Sequence, residues 1–222
     1  MKLWTGILLC LMFVACSKTT PLTPHLPNEI SMEGTYVFYL HGGVVQAQGI
    51  PAVSDYYGAY EYLNIVESLR SGGHYVVSEV RHKDTQELDY ARQLSLQIDT
   101  LINAGVPPQN ITVVGASLGA YIAMELAHIK NRQDLNYALL GLCSEYALGY
   151  FEQYREGLCG NFLSIYEASD SKSSCQSLLN HPDCKSGYRE IRLDMGIDHA
   201  FLFKPYPEWT EPLQEWIISR KR

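Results

Sequence analysis

From Gly34 onward the chain alternates short apolar runs with longer stretches whose apolar positions recur every three or four residues. Tyr36–Leu40, 74–80, 111–114, 137–140, 162–166 and Tyr188–Leu193 are short, rich in β-branched and aromatic residues, and predict strands. Between them Ala91, Leu94, Ile98, Leu101 and Ile102 share one helical face. Gly105 closes that stretch, and Pro107 with Pro108 forbids its continuation. Further helices are expected at 54–71, Leu118–Lys130, 146–155, 173–179 and 208–218. Strand and helix in regular alternation imply βα units stacked into a mostly parallel sheet with helices on both faces. No internal repeat interrupts the pattern.

Before Gly34 the pattern changes. Lys2 precedes an apolar run over residues 3–14 that ends at Ala15 and Cys16, the form of an export signal. The run is short for a bilayer span, which takes about 20 apolar residues. Phe13-Val14-Ala15-Cys16 resembles the lipobox of bacterial lipoproteins, with Phe in place of the usual Leu. That resemblance implies an acylated Cys16 as mature N-terminus, and Ser17 after it implies sorting to the outer membrane, facing the periplasm. Pro21, Pro24 and Pro27 among Ser, Thr and Asn then read as a tether. The expected organisation is a signal peptide at 1–15, a lipidated cysteine and tether at 16–34, and a single domain at 35–222.

Composition narrows the class. Of 222 residues 46% are hydrophobic and 11% aromatic, as in an ordinary globular protein, and a chain of this length holds one core. The net charge of -7 and the scatter of Lys and Arg give no basic patch for phosphates, so no nucleic-acid partner is expected. Setting aside Cys10 and Cys16 leaves Cys143, Cys159, Cys175 and Cys184, an even set suited to an oxidising compartment. Of three connectivities the local one, Cys143–Cys159 with Cys175–Cys184, is the economical expectation. Their spacings lack a CxxC pair, so no metal site is expected.

The candidate chemistry lies in Gly115-Ala116-Ser117-Leu118-Gly119, directly after an apolar strand and at the start of an amphipathic helix. A strand-to-helix turn this tight exposes the serine and leaves no room for side chains on either flank, hence two glycines. Upstream, His41-Gly42-Gly43 follows the strand Tyr36–Leu40. In these two motifs and their order the chain resembles the α/β-hydrolase superfamily, from Tyr36 to the C-terminus. The resemblance implies a three-layer fold around a mostly parallel sheet, with Ser117 as nucleophile. It makes Gly43 and Leu118 the backbone oxyanion donors, with Gly42 as an alternative to Gly43, and His41 a structural residue of the turn.

Family order places acid and base after the nucleophile, which leaves His128, His181 and His199 for the base. His128 lies on the helix leaving Ser117 and should point away, and His181 sits among turn residues. His199, in Gly196-Ile197-Asp198-His199-Ala200-Phe201, resembles the family's histidine loop. The acid is sought after the strand 162–166, where Asp170 is preferred and Glu167 is the runner-up. The family's first antiparallel strands are missing or reduced, and no long insertion between Cys143 and Phe162 offers a cap. Selectivity should then fall to the loop 44–60 and the helix near 146–154. Tyr56, Tyr57, Tyr60, Tyr146, Tyr150 and Tyr154 are candidates for an aromatic cleft or for ordinary packing.

The reading is a monomeric serine hydrolase that cleaves a small carboxylic ester through an acyl-enzyme, without metal or organic cofactor, held at a membrane by its lipid. A serine peptidase of the same fold is the enzymatic alternative. The other is an envelope lipoprotein that keeps the fold as a non-catalytic binding module.

Overall fold

A computed structural model describes residues 24–180 and 187–221. Cys16, His181 and Cys184 lie outside them.

The strands are β1 (Tyr36–Leu40), β2 (Ala52–Ser54), β3 (Gly58–Tyr60), β4 (Tyr75–Val77), β5 (Ile111–Ala116), β6 (Asn136–Leu140), β7 (Asn161–Glu167) and β8 (Tyr188–Leu193). The helices are α1 (Gly43–Gln48), α2 (Tyr62–Ser71), α3 (Glu87–Asn103), α4 (Leu118–Lys130), α5 (Glu145–Glu152), α6 (Gln176–Leu179) and α7 (Pro207–Arg220). Six strands form one sheet in the order β4-β1-β5-β6-β7-β8, every pair parallel. All six are the strands the apolar runs predicted.

Period-two alternation assigns each strand residue to a face. Tyr36, Phe38, Leu40, Ile111 and Val113 pack into one core with Leu94, Ile98 and Leu101 of α3 and Ile122 and Leu126 of α4. Val37, Tyr39, Val114 and Ala116 pack into the other, with Ile65 and Leu69 of α2 and Trp209, Leu213 and Trp216 of α7. The central strands are buried on both sides, which is why they read as unbroken apolar runs. Part of the expected tether lies against this body, with Leu26 and Ile30 packed on the first core.

Three expectations are corrected. The helix expected at 54–71 exists only as α2, because residues 52–60 form the antiparallel hairpin β2–β3. Gly58 at φ 80° suits a turn and interrupts the helical repeat that Ile65, Val66 and Leu69 carry. The region 44–60 is likewise a short helix and a hairpin in place of an open loop. The local cysteine pairs are also overturned, since Cys143 is bonded to Cys175. Cys143 follows β6 and Cys175 follows β7, adjacent parallel strands whose C-terminal ends lie side by side. The Ser173 N–H donates to the Cys143 carbonyl at 2.8 Å there, whereas α5 separates Cys143 from Cys159. Cys159 is disulfide-bonded as well.

Candidate active site

Ser117 sits between β5 and α4 at φ 52° and ψ -113°, a region that L-residues rarely occupy. Its N–H donates to the Leu140 carbonyl at 2.9 Å, and its carbonyl accepts from Ala120 and Tyr121, so both sides of the strained residue are anchored. The flanking glycines have a specific cause. A Cβ on Gly115 would stand 2.4 Å from the Gly119 carbonyl oxygen, and one on Gly119 would stand 1.9 Å from that of Leu40. The constraint is thus backbone against backbone, where α4 crosses the ends of β5 and β1.

The β1–β5 register, with Leu40 opposite Gly115, brings the turn after β1 beside Ser117. A Cβ on Gly42 would lie 3.7 Å from the Ser117 Cβ. His41 is fully buried and structural, as expected. Its Nδ1 donates to the Gly42 carbonyl at 2.9 Å, and its Nε2 accepts the Arg81 N–H at 3.0 Å. Burial, then the Arg81 charge, lowers the ring's pKa to about 3, so it stays neutral. The Arg81 guanidinium donates to the His41 carbonyl at 2.5 Å and to Gln46 Oε1 at 2.9 Å. Sequence reasoning missed Arg81, which stands with His82 and Lys83 directly after the run 74–80 and carries no motif of its own. Gly43 and Leu118 open α1 and α4, where the first N–H groups have no intrahelical acceptor. The two are neighbours, a Cβ on Gly43 falling 3.6 Å from Leu118 Cδ2.

Asp170 and His199 are brought together, His199 Nδ1 lying 2.5 Å from Asp170 Oδ2, with the Asp170 side chain 1% exposed. Burial alone would raise this carboxyl. The His199 hydrogen bond and charge outweigh it, with the Lys172 N–H, and hold it below its ordinary value. Glu167 serves elsewhere. Fully buried at the end of β7, it accepts from the N–H groups of Met195 and Gly196 at 2.9 and 3.1 Å and from Ser169. Burial raises its pKa, but these bonds together leave it lowered. Glu167 therefore fixes the loop that carries His199. Gly141, at φ 59°, leaves room for the imidazole, since a Cβ there would lie 3.0 Å from His199 Cε1.

Ser117 and His199 line one cavity of about 420 Å³ with Gly42, Gly43 and Leu202. The hairpin supplies its far wall through Val53, Asp55, Tyr57 and Tyr60, and Phe203 packs on Tyr57 and Tyr60 at 5.3 and 4.9 Å between ring centroids. Of the six tyrosines singled out, only Tyr57 and Tyr60 face this cavity. Tyr56 is exposed, and Tyr154 packs on His128, which indeed lies away from Ser117. Among the described residues no group of three or more His, Cys, Asp or Glu could hold a metal ion.

No family model matches the sequence, and no curated protein matches it. Solved structures do match in shape. Est1E from Butyrivibrio proteoclasticus superposes with a TM-score of 0.57 at 10% identity, covering 86% of this chain and 89% of its own. A sugar hydrolase from Lactococcus lactis gives 0.57 at 13%, over 88% and 92%. A protein of unknown function from Agrobacterium tumefaciens, grouped with the α/β hydrolases, gives 0.56 at 14%, over 87% of each chain. With six parallel strands, helices on both faces and a tight turn carrying a serine after β5, this chain has the α/β-hydrolase fold.

Proposed function

We propose that the chain is a serine hydrolase acting on carboxylic esters through a Ser117-Asp170-His199 triad. The supporting observation is the conjunction at one cavity of a strained serine at the β5–α4 turn with a histidine whose Nδ1 is held by a buried aspartate. Ser117 Oγ attacks the ester carbonyl carbon and passes its proton to His199 Nε2, while Asp170 fixes the tautomer and steadies the imidazolium. The N–H groups of Gly43 and Leu118 receive the oxyanion. Collapse expels the alcohol, which takes the proton from His199. Water, deprotonated by the same imidazole, then cleaves the acyl-enzyme. The aromatic wall of Tyr57, Tyr60 and Phe203 favours acyl groups with apolar or aromatic bodies. Est1E, similar in fold, is known with ferulic acid bound, an aromatic acid of that kind.

In the same reading Cys16 carries the lipid that holds the protein at a bacterial membrane, facing the periplasm. The support is the apolar leader and the box ending in Cys16. Among the described residues no helix is long and apolar enough to cross a membrane.

Hydrolysis of p-nitrophenyl esters of increasing acyl length by the purified full-length chain, beside Ser117→Ala, tests the proposal. Turnover that disappears in the variant, with fluorophosphonate labelling of Ser117, is the expected result. A folded wild-type chain that neither turns over nor labels would leave a binding module as the better account.

A further inference from the structure

A second groove, of about 400 Å³, lies on the other side of the elbow between α3, α4 and α5. It begins at Leu118, the residue after the proposed nucleophile, and runs along α4 past Tyr121 to Glu125. These positions are spaced by helix turns, so the groove follows one face of α4. At about 1.5 Å of rise per residue, Tyr121 and Glu125 stand about 6 and 12 Å beyond Ser117 along the axis.

The lining has a definite chemistry. Tyr121, Tyr146 and Tyr150 form a cluster with ring centroids 5.9 to 6.4 Å apart, and Tyr146 is 73% exposed. Two carboxylates, Glu87 and Glu125, share the groove, and no lysine, arginine or histidine lines it. Glu125 is only 6% exposed, and its one hydrogen bond among the described residues comes from the Tyr150 hydroxyl at 2.9 Å. The Tyr121 hydroxyl is likewise enclosed and without a partner among the described residues. Aromatic faces carry negative charge above the ring and attract cations, and two carboxylates add to that field. A sugar site would also show aromatic rings and carboxylates, but with amide or guanidinium donors beside them. Here every polar side chain is a carboxylate or a phenol.

From this we propose that the groove is a binding site for an organic cation of the alkylammonium class. The proposal stands apart from the hydrolase reading above, because the groove and the Ser117 cavity share no lining residue.

A titration of the full-length chain tests the site. The Ser117→Ala chain, titrated with choline chloride and with its uncharged isostere 3,3-dimethylbutan-1-ol, should show shifts of tyrosine ring signals with choline. The neutral alcohol should bind about tenfold more weakly, the size of one favourable cation–π contact. Adding Tyr146→Leu should weaken choline by a similar factor. Tyr146 is exposed, so this variant tests the site even if Glu125→Gln fails to fold. Equal binding of choline and the alcohol, or tighter binding of glucose than of choline, would overturn the site.

Discussion

At Ser117 the backbone holds φ 52°, a conformation whose cost of about 1–3 kcal/mol the surrounding sheet and helix must sustain. The sequence announced this residue through its glycines, although the glycines relieve clashes with Leu40 and Gly119 carbonyls and not with the serine itself. Glu167, the last residue of β7, and Asp170, three positions on, could not be separated by spacing alone. Their partners separate them, Asp170 meeting His199 Nδ1 while Glu167 is occupied by backbone N–H groups. Opposite consequences are expected on substitution. Asp170→Asn should keep the fold and lower kcat/KM about 10³- to 10⁴-fold, read from ester turnover beside a matched unfolding curve. Glu167→Gln should lower stability and weaken its dependence on pH. The Glu167 carboxyl is held below its ordinary 4.5, so its contribution is present above that pH and fades as pH falls through the lower folded value. Urea unfolding at pH 7 and at pH 4 should therefore show a larger loss in the wild type than in Glu167→Gln. Equal losses would mean that Glu167 does not carry the effect.

Elements were legible where a single period governed them. β1 and α4 fall where the apolar pattern put them, because β1 is buried over its length and α4 over Ile122–Ala127. The hairpin was not legible: tyrosines at 56, 57 and 60 continue a helical-looking spacing into α2, and only Gly58 speaks against it. Nor was the Cys143–Cys175 bridge, because strand adjacency is a property of the sheet and not of the spacing along the chain. Packing between elements also yields the most severe substitution. With 1.9 Å between a Cβ at Gly119 and the Leu40 carbonyl, α4 cannot keep its place on β1. Gly119→Ala should lower unfolding free energy by about 3 kcal/mol or more, measured by denaturant titration. A change under about 1 kcal/mol would show that α4 can slide at little cost.

For the molecule as a whole, class and chain order followed from alternation and motif sequence, whereas the order of strands across the sheet carries no mark along the chain. The residues proposed for catalysis and their neighbours come from the ends of β1, β5, β6 and β7, segments brought together only by that order. The leader places a further expectation at this scale. Cys16→Ser should move the protein from the membrane pellet to the soluble fraction with its ester turnover unchanged, and persistence in the pellet would argue against the lipid as the anchor.

The β2–β3 hairpin pairs only with itself, yet it forms one wall of the Ser117 cavity. It is tied to the frame at two buried positions, Ala52 and Tyr60, the latter sharing a hydrogen bond with Tyr39 of β1. Its exposed positions on that wall, Val53 and Asp55, can drift without touching the six-stranded frame, so the wall of the cavity can change while the turn that carries Ser117 stays as it is.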